Sequence, residues 1–225
     1  MTVNINGLEF PFADFFQKHS GNILGFGQAA RDIALEHVKN WRTAIDIGAH
    51  VGISVHSWAP RFEKVVAFEP MVDHFECLKT NVTKFSNVEV HNNAISNESR
   101  TLRGAYRSGK NSGSFQLLSD DYTVNPRKHA KIYQIPSRRL DEFNFDQIDL
   151  IKIDVEGWEL EVLKGAEQTL RRCKPVLIIE FTQGGGIENK SMHTYNVADY
   201  HDMIKDLGYK QVGFVKDDYI YVNDV

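Results

Sequence analysis

Residues 43–70 read TAIDIGAHVGISVHSWAPRFEKVVAFEP, and the order of their elements decides the fold. Thr43 to Ile47 is short, β-branched and apolar, the pattern of a buried strand, and it runs straight into Gly48, with Gly52 four positions on. A turn without bulky side chains lets the backbone approach a ligand closely. The helix predicted from about Gly52 to Pro60 offers its free N–H groups and positive dipole end to a negative group. Lys64 to Phe68 reads as a second strand, ending in Glu69 about twenty residues past the turn, where a carboxylate accepts bonds from both hydroxyls of a ribose. The stretch predicts a site for an adenosine-containing cofactor.

The turn itself narrows the choice. No Lys followed by Ser or Thr comes after Gly52, which excludes a triphosphate-cradling loop. Ala49, His50 and Val51 fill the interval that the dinucleotide fingerprint leaves to a second glycine, so a pyrophosphate would meet side chains, and a nicotinamide oxidoreductase is the least favoured enzyme class. Asp46 adds negative charge beside the site. That charge suits S-adenosylmethionine, with its ammonium and sulfonium.

Outward from this stretch, strands and helices alternate, the signature of an α/β doubly wound sheet. Pro70 and Met71 open a helix to about Lys84, and Asn87 to His91 is a third strand. Asn92, Asn93 and Ala94 leave that strand at the carboxyl edge of the sheet, where an Asn can bond an adenine edge. Ile148 to Ile153 is a strand buried on both faces, followed by Asp154-Val155-Glu156-Gly157 and a helix to about Arg172. Pro175 to Phe181 is the next strand. Tyr195 to Leu207 is a helix, and Tyr209–Val215 with Asp218–Val222 is a closing antiparallel hairpin. Residues 1–42 form a packed N-terminal extension and a helix from Phe26 to Trp41, a sheet-edge helix before it is a lid. Residues 100–136 break the alternation as an excursion with strand character at Thr101–Arg107, Ser114–Leu118 and Lys131–Ile135. The whole is expected to be one domain, residues 1–225.

Composition limits the partners. Hydrophobic residues at 42% and charged ones at 25% are those of a soluble globular protein. A formal net charge of −4 gives no broad basic field for a nucleic-acid backbone. No apolar run is long enough to span a membrane, no leader is evident, and Cys77 and Cys173 have no paired spacing, the usage of a reduced, cytoplasmic protein. The oligomeric state is not readable.

AIDIGAHVG at 44–52, AFEP at 67–70, NNAIS at 92–96, SRRLDEF at 137–143, IKIDVEGWELEVLKGA at 151–166 and VLIIE at 176–180 occur in an order that resembles the FkbM family of S-adenosylmethionine-dependent methyltransferases. The resemblance implies a Rossmann-like, seven-stranded methyltransferase sheet, mostly parallel with one antiparallel strand near the C-terminus. It also implies methyl transfer to a hydroxyl on a small molecule, sugar or lipid-like acceptor. The family commonly has Asn where His50 stands, and the region before Thr43 and the excursion at 104–136 lie outside the recognised blocks.

Methyl transfer from a sulfonium chiefly requires alignment of the acceptor and exclusion of water, with a base to take the proton of a hydroxyl. Asp154 is assigned beside the sulfonium and the methionine amine. Glu156 is assigned as base or acceptor-orienting group, or else as the cap of a helix beginning at Gly157. Cofactor binding is assigned to Asp46, Gly48, His50, Gly52, Glu69, Pro70, Asn93, Ala94 and Asp154. Carboxylates suit magnesium, but Asp154, Glu156 and Glu180 have no fixed ligand spacing, and no metal is assigned. The glycine run 184–186 is expected to be a substrate loop. His193 after it is weighed as a loop base, and the basic residues Arg103, Arg107, Lys110, Arg127, Lys128, Lys131, Arg138 and Arg139 are weighed against an anionic acceptor. An N-methyltransferase acting on a small amine, or a non-catalytic cofactor-binding scaffold, are the alternatives.

Overall fold

The computed structural model describes residues 2–11, 22–106, 112–123, 131–181 and 197–223. The N-terminus forms an antiparallel hairpin, β1 (Val3–Ile5) and β2 (Leu8–Phe10), turned at Asn6-Gly7, both at positive φ. That dipeptide is the usual signal for a tight hairpin turn, and the packed extension expected there acquires its structure from it. A 3₁₀ turn at Ile23–Gly25 leads into α1 (Gln28–His37), shorter than the predicted Phe26–Trp41 because the chain extends at Val38.

Alternation then proceeds through β3 (Thr43–Ile47), α2 (Ile53–Trp58), β4 (Lys64–Phe68), α3 (Val72–Val82) and β5 (Val88–His91). Helix α3 starts at Val72 and not at Pro70, because Met71 keeps an extended backbone (φ −79°, ψ 120°), with its N–H bonded to the Glu69 carboxylate. After the excursion come β10 (Leu150–Ile153), α4 (Glu159–Gly165), α5 (Glu167–Cys173), β11 (Val176–Glu180), α6 (Val197–Asp206), β12 (Lys210–Val215) and β13 (Asp218–Val222). The single helix expected to run to Arg172 is two, broken at Ala166 beside Gly165, which is pressed against the backbone carbonyl of Ser96.

These strands make one seven-stranded sheet in the order β12-β13-β11-β10-β3-β4-β5. The five strands from β11 to β5 pair in parallel, and β13 pairs antiparallel with both β11 and β12. Helices cover both faces. Ala30, Ala34, Trp58 and Leu78 pack with Ala44, Val65, Leu150 and Ile178 on one side. Leu163, Leu170 and Ile204 pack with Ile45, Ile151 and Ile179 on the other.

The excursion is a second, four-stranded sheet, β6-β9-β7-β8, built from β6 (Ala94–Ile95), β7 (Thr101–Tyr106), β8 (Phe115–Leu118) and β9 (Tyr133–Arg138). β6 pairs in parallel with β9, whereas β7 runs antiparallel to β8 and β9. Antiparallel pairing is therefore more extensive than the single strand expected: it builds the N-terminal hairpin, the β13 edge and most of the second sheet. The second sheet is anchored by Trp158, whose indole N–H donates to Ser96 Oγ at 3.0 Å.

Asp149, at the foot of β10, ties the start of β3 in place. It accepts from the Arg42 backbone N–H and Nε, each at 3.0 Å, and from Arg42 Nη2 at 2.5 Å. No helix among the described residues is long and apolar enough to cross a membrane. Cys77, which is buried, and Cys173 are free thiols.

Candidate active site

A cavity of about 240 Å³ opens at the carboxyl ends of β3, β4, β10 and β11, where a doubly wound sheet binds ligands. Its floor is the Gly48 turn. Gly48 and Ala49 both donate backbone N–H bonds to the Phe68 carbonyl at 3.0 Å, Gly48 adopts φ +86°, and a β-carbon on it would overlap the Asp154 carbonyl. The turn thus needs glycine for conformation and for space. Gly52, also at positive φ, does not reach the cavity; it packs against Leu78 and Val82 where α2 begins. The other sequence-predicted positions all line it: Asp46, Gly48, His50, Glu69, Pro70, Asn93, Ala94, Asp154 and Glu156.

Glu69 is buried and fixed from two sides. Its Oε2 accepts from the His50 backbone N–H and its Oε1 from the Met71 N–H, each at 2.9 Å. His74 Nδ1 stands 3.5 Å from Oε1, and His74 Nε2 meets the Tyr106 hydroxyl at 3.2 Å. Asn92 Nδ2 donates to the carbonyls of Glu69 and Pro70, at 2.9 and 3.1 Å, and locks the acidic turn. A carboxylate has about four acceptor sites, so two bound amides leave Glu69 capacity for hydroxyls in the cavity. His50 serves through its backbone; its ring packs between Phe10 and His74. Burial, reinforced by His74, keeps that ring well below the usual histidine range and neutral.

The other half of the cavity is charged. Lys152, opposite Asp46 on the adjacent strand, donates from Nζ to Asp154 Oδ2 at 2.6 Å. Burial opposes the Lys152 charge, yet Asp154, Asp46 and Glu180 together raise it above its ordinary value. For Asp154 too burial opposes ionisation most strongly, but the Lys152 charge and the neighbouring Glu180 carboxyl together outweigh it, so the carboxyl is held low. Its neighbour on the adjacent strand, Glu180, is pushed up, first by the Asp154 charge and then by burial. Burial pushes Asp46 up to about 6, and its Oδ1 has no hydrogen-bond partner. Arg31, buried in α1, lines the same cavity, as do Phe26 from the turn before it and Phe115 and Leu117 from β8. Helix α1 packs on β11, β12 and β13 and closes one side, so it is both the sheet-edge helix and a cavity wall.

Glu156 is not the cap of α4. That helix starts at Glu159, with no side-chain cap on Trp158, and the loop amides of Val155 and Gly157 donate to Glu159 Oε1 at 3.3 and 2.9 Å. Burial pushes Glu159 up to about 7. Glu156, at φ +56°, instead lines the cavity. Trp58 and Trp158 are core residues, and His56 is a packing residue bonded to the Asn81 carbonyl. Arg103 holds the carbonyls of Ser119, Asp120 and Tyr122, while Arg138 and Arg139 pair with Glu142 and Asp141, so these guanidinium groups serve the scaffold. Lys131 lies over the Tyr133 ring. The glycine run 184–186, His193, Arg107, Lys110, Arg127 and Lys128 lie outside the described residues. Among the described residues no group of three or more His, Cys, Asp or Glu side chains is arranged to hold a metal ion.

Lys152, His74 and Arg31 were not assigned to the site from the sequence, and Glu180 was weighed there only as a metal ligand. Lys152 had a legible signal: a lysine inside an apolar strand must find a counter-charge, and Asp154 is two residues away. His74 and Arg31 had none, since each occupies an ordinary helical position.

Residues 46–211 match the Methyltransferase FkbM domain, and the chain belongs to that methyltransferase family. Among solved structures it is similar to methyltransferase FkbM from Methylobacillus flagellatus, at 20% identity and a TM-score of 0.52, covering 80% of this chain and 43% of that one. It also matches a SAM dependent methyltransferase from Aquifex aeolicus at 17% identity and a TM-score of 0.47, covering 86% of this chain and 88% of the other. The AMB antimetabolite synthetase AmbE of Pseudomonas aeruginosa is 29% identical over 160 residues, which is 55% of this chain and 8% of AmbE. The chain thus spans a small part of AmbE and less than half of the Methylobacillus protein.

Proposed function

We propose that this cavity binds S-adenosylmethionine and that the chain, acting as one methyltransferase domain, methylates a hydroxyl oxygen of a small-molecule, sugar or lipid-like acceptor. The observation that carries the reading is the pairing of a fixed, buried Glu69 at one end of the cavity with Asp46 and Asp154 at the other, across a glycine turn that admits no β-carbon. These residues fit the cofactor: Glu69 has acceptor capacity for the ribose hydroxyls, and the unpartnered Asp46 Oδ1 with the ionised Asp154 favours a cationic group. Asn93 and Ala94 are assigned to the adenine end. When bound, the cofactor supplies an electrophilic methyl group on a positively charged sulfur.

Glu156 is assigned to orient the acceptor and receive its proton. Phe26, Phe115 and Leu117 supply apolar walls that exclude water from the reacting end. An amine acceptor is the second reading, favoured by the acidic residues Asp154, Glu156 and Asp218 on one cavity.

Calorimetric titration with S-adenosylmethionine, S-adenosylhomocysteine and NADH tests the cofactor. Binding of the first two at an affinity on the order of micromolar, with none of NADH, is expected. Failure of both adenosyl ligands to bind overturns the reading. Methyl transfer to a panel of hydroxylated and amine acceptors then separates oxygen from nitrogen.

A further inference from the structure

Four neighbouring strands deliver ionisable side chains to one end of the cavity: Asp46 from β3, Lys152 and Asp154 from β10 and the residue just past it, Glu180 from β11, and Asp218 from β13. Lys152 sits opposite Asp46, and Glu180 opposite Asp218, in the strand register. Arg31 faces the group from α1, and His50 and Glu156 face it from the flanking loops. Asp154 and Glu180 directly follow the paired residues Ile153 and Ile179 of β10 and β11 and line the same cavity, and two carboxyls held side by side in a poorly solvated place keep one proton between them. The nearest cation, Lys152, is bonded to Asp154 and not to Glu180, so the proton resides on Glu180. Asp46 is about 99% buried and its Oδ1 has no hydrogen-bond partner, which points to a cationic ligand at this end.

We propose that the Asp154–Glu180 pair is a charge-gated base, whose proton leaves when the positively charged cofactor enters the cavity and whose vacancy on Glu180 then receives the proton of the acceptor. The inference rests on the cofactor reading above and adds a second proton acceptor beside Glu156. A positive charge brought into a poorly screened cavity favours the ionised form of a neighbouring carboxyl. The balance closes. The acceptor O–H bond breaks and its electron pair makes the new bond to carbon, the sulfur–carbon bond breaks and leaves its pair on sulfur, and the proton goes to Glu180. Once the sulfur is neutral the acid pair is restored, ready for the next cycle.

Titrations at pH 8 in two buffers of different ionisation enthalpy test this. Asp46 and Glu159, pushed up to about 6 and about 7, have by then lost most of their protons, which leaves Glu180 as the principal source. S-adenosylmethionine is expected to release about one proton per site and S-adenosylhomocysteine close to none. Glu180→Gln is expected to abolish the release, keep cofactor affinity within about threefold and lower kcat at least about tenfold. In wild-type protein, a protonated-carboxyl infrared band should vanish on adding S-adenosylmethionine and persist with the neutral product, a readout that does not depend on the variant folding. Binding of both ligands with equal release, with no release, or with release unchanged in Glu180→Gln overturns the inference alone. Binding of neither ligand overturns the cofactor reading first.

Discussion

The α-carbon of Gly48 stands so close to the backbone carbonyl of Asp154 that no β-carbon fits between them. The turn after β3 and the loop after β10 are therefore one unit, joined further by the bond from the Asp154 N–H to the Ile47 carbonyl at 3.0 Å. Gly48→Ala should separate them. The φ of +86° alone costs a non-glycine residue about 1–3 kcal/mol, and the overlap adds to it. We expect a melting temperature lower by at least about 5 °C and loss of S-adenosylhomocysteine binding, read by thermal shift and calorimetry.

Glu69→Ala removes the acceptor of two backbone amides as well as the proposed ribose contact. Cofactor affinity should fall at least tenfold, about 1.4 kcal/mol. Equal affinity in wild type and variant would rule out the ribose assignment.

Glu156→Gln keeps the shape of the loop and removes the charge. Because the loop amides of Val155 and Gly157 are held by Glu159, stability should change by less than about 0.5 kcal/mol, and cofactor affinity should hold while kcat falls by about tenfold or more. Full activity would remove Glu156 from the chemistry.

Glu159 offers a prediction in pH. Its folded-state value of about 7 lies above the ordinary 4.5, so the folded chain holds a proton that the unfolded chain releases. Its contribution to stability is therefore greatest at low pH and declines as pH rises from about 4.5 through 7. Glu159→Gln retains an oxygen for the Val155 and Gly157 amides without the buried charge. The variant should be more stable than wild type above pH 7, by about 3 kcal/mol at most, and lose that advantage below about pH 4.5. Denaturation curves across this range decide it.

Asp149→Ala should cost about 2 kcal/mol. It frees the Arg42 guanidinium, which is partly solvated, and strips an acceptor from the backbone at the head of β3. Urea unfolding would show a lower midpoint with an unchanged slope.

Much of this was legible in the chain itself. β3 and β4 fall on their predicted ends because β-branched apolar runs stop abruptly at Gly48 and Glu69. Nine of the ten assigned site positions, all but Gly52, reach one cavity because strand ends in this topology converge. What was not legible is long-range. β6 is two residues and has no periodicity of its own; it exists only because β9 pairs with it. The break between α4 and α5 coincides with Gly165 against the Ser96 carbonyl, a contact between segments about seventy residues apart. The inward turn of His74 toward Glu69 and Tyr106 is likewise set by neighbours, not by helical spacing.

Among the described residues the second sheet meets the first through the indole of Trp158 on Ser96, the apolar contacts of the shared core, and the Tyr106 hydroxyl on His74. It is a cassette clipped onto a fixed chassis. Exchange of residues 97–136 for another segment of similar length offers a route to re-aim the proposed acceptor end while leaving the proposed ribose end intact, provided that a tyrosine is retained where the cassette touches His74.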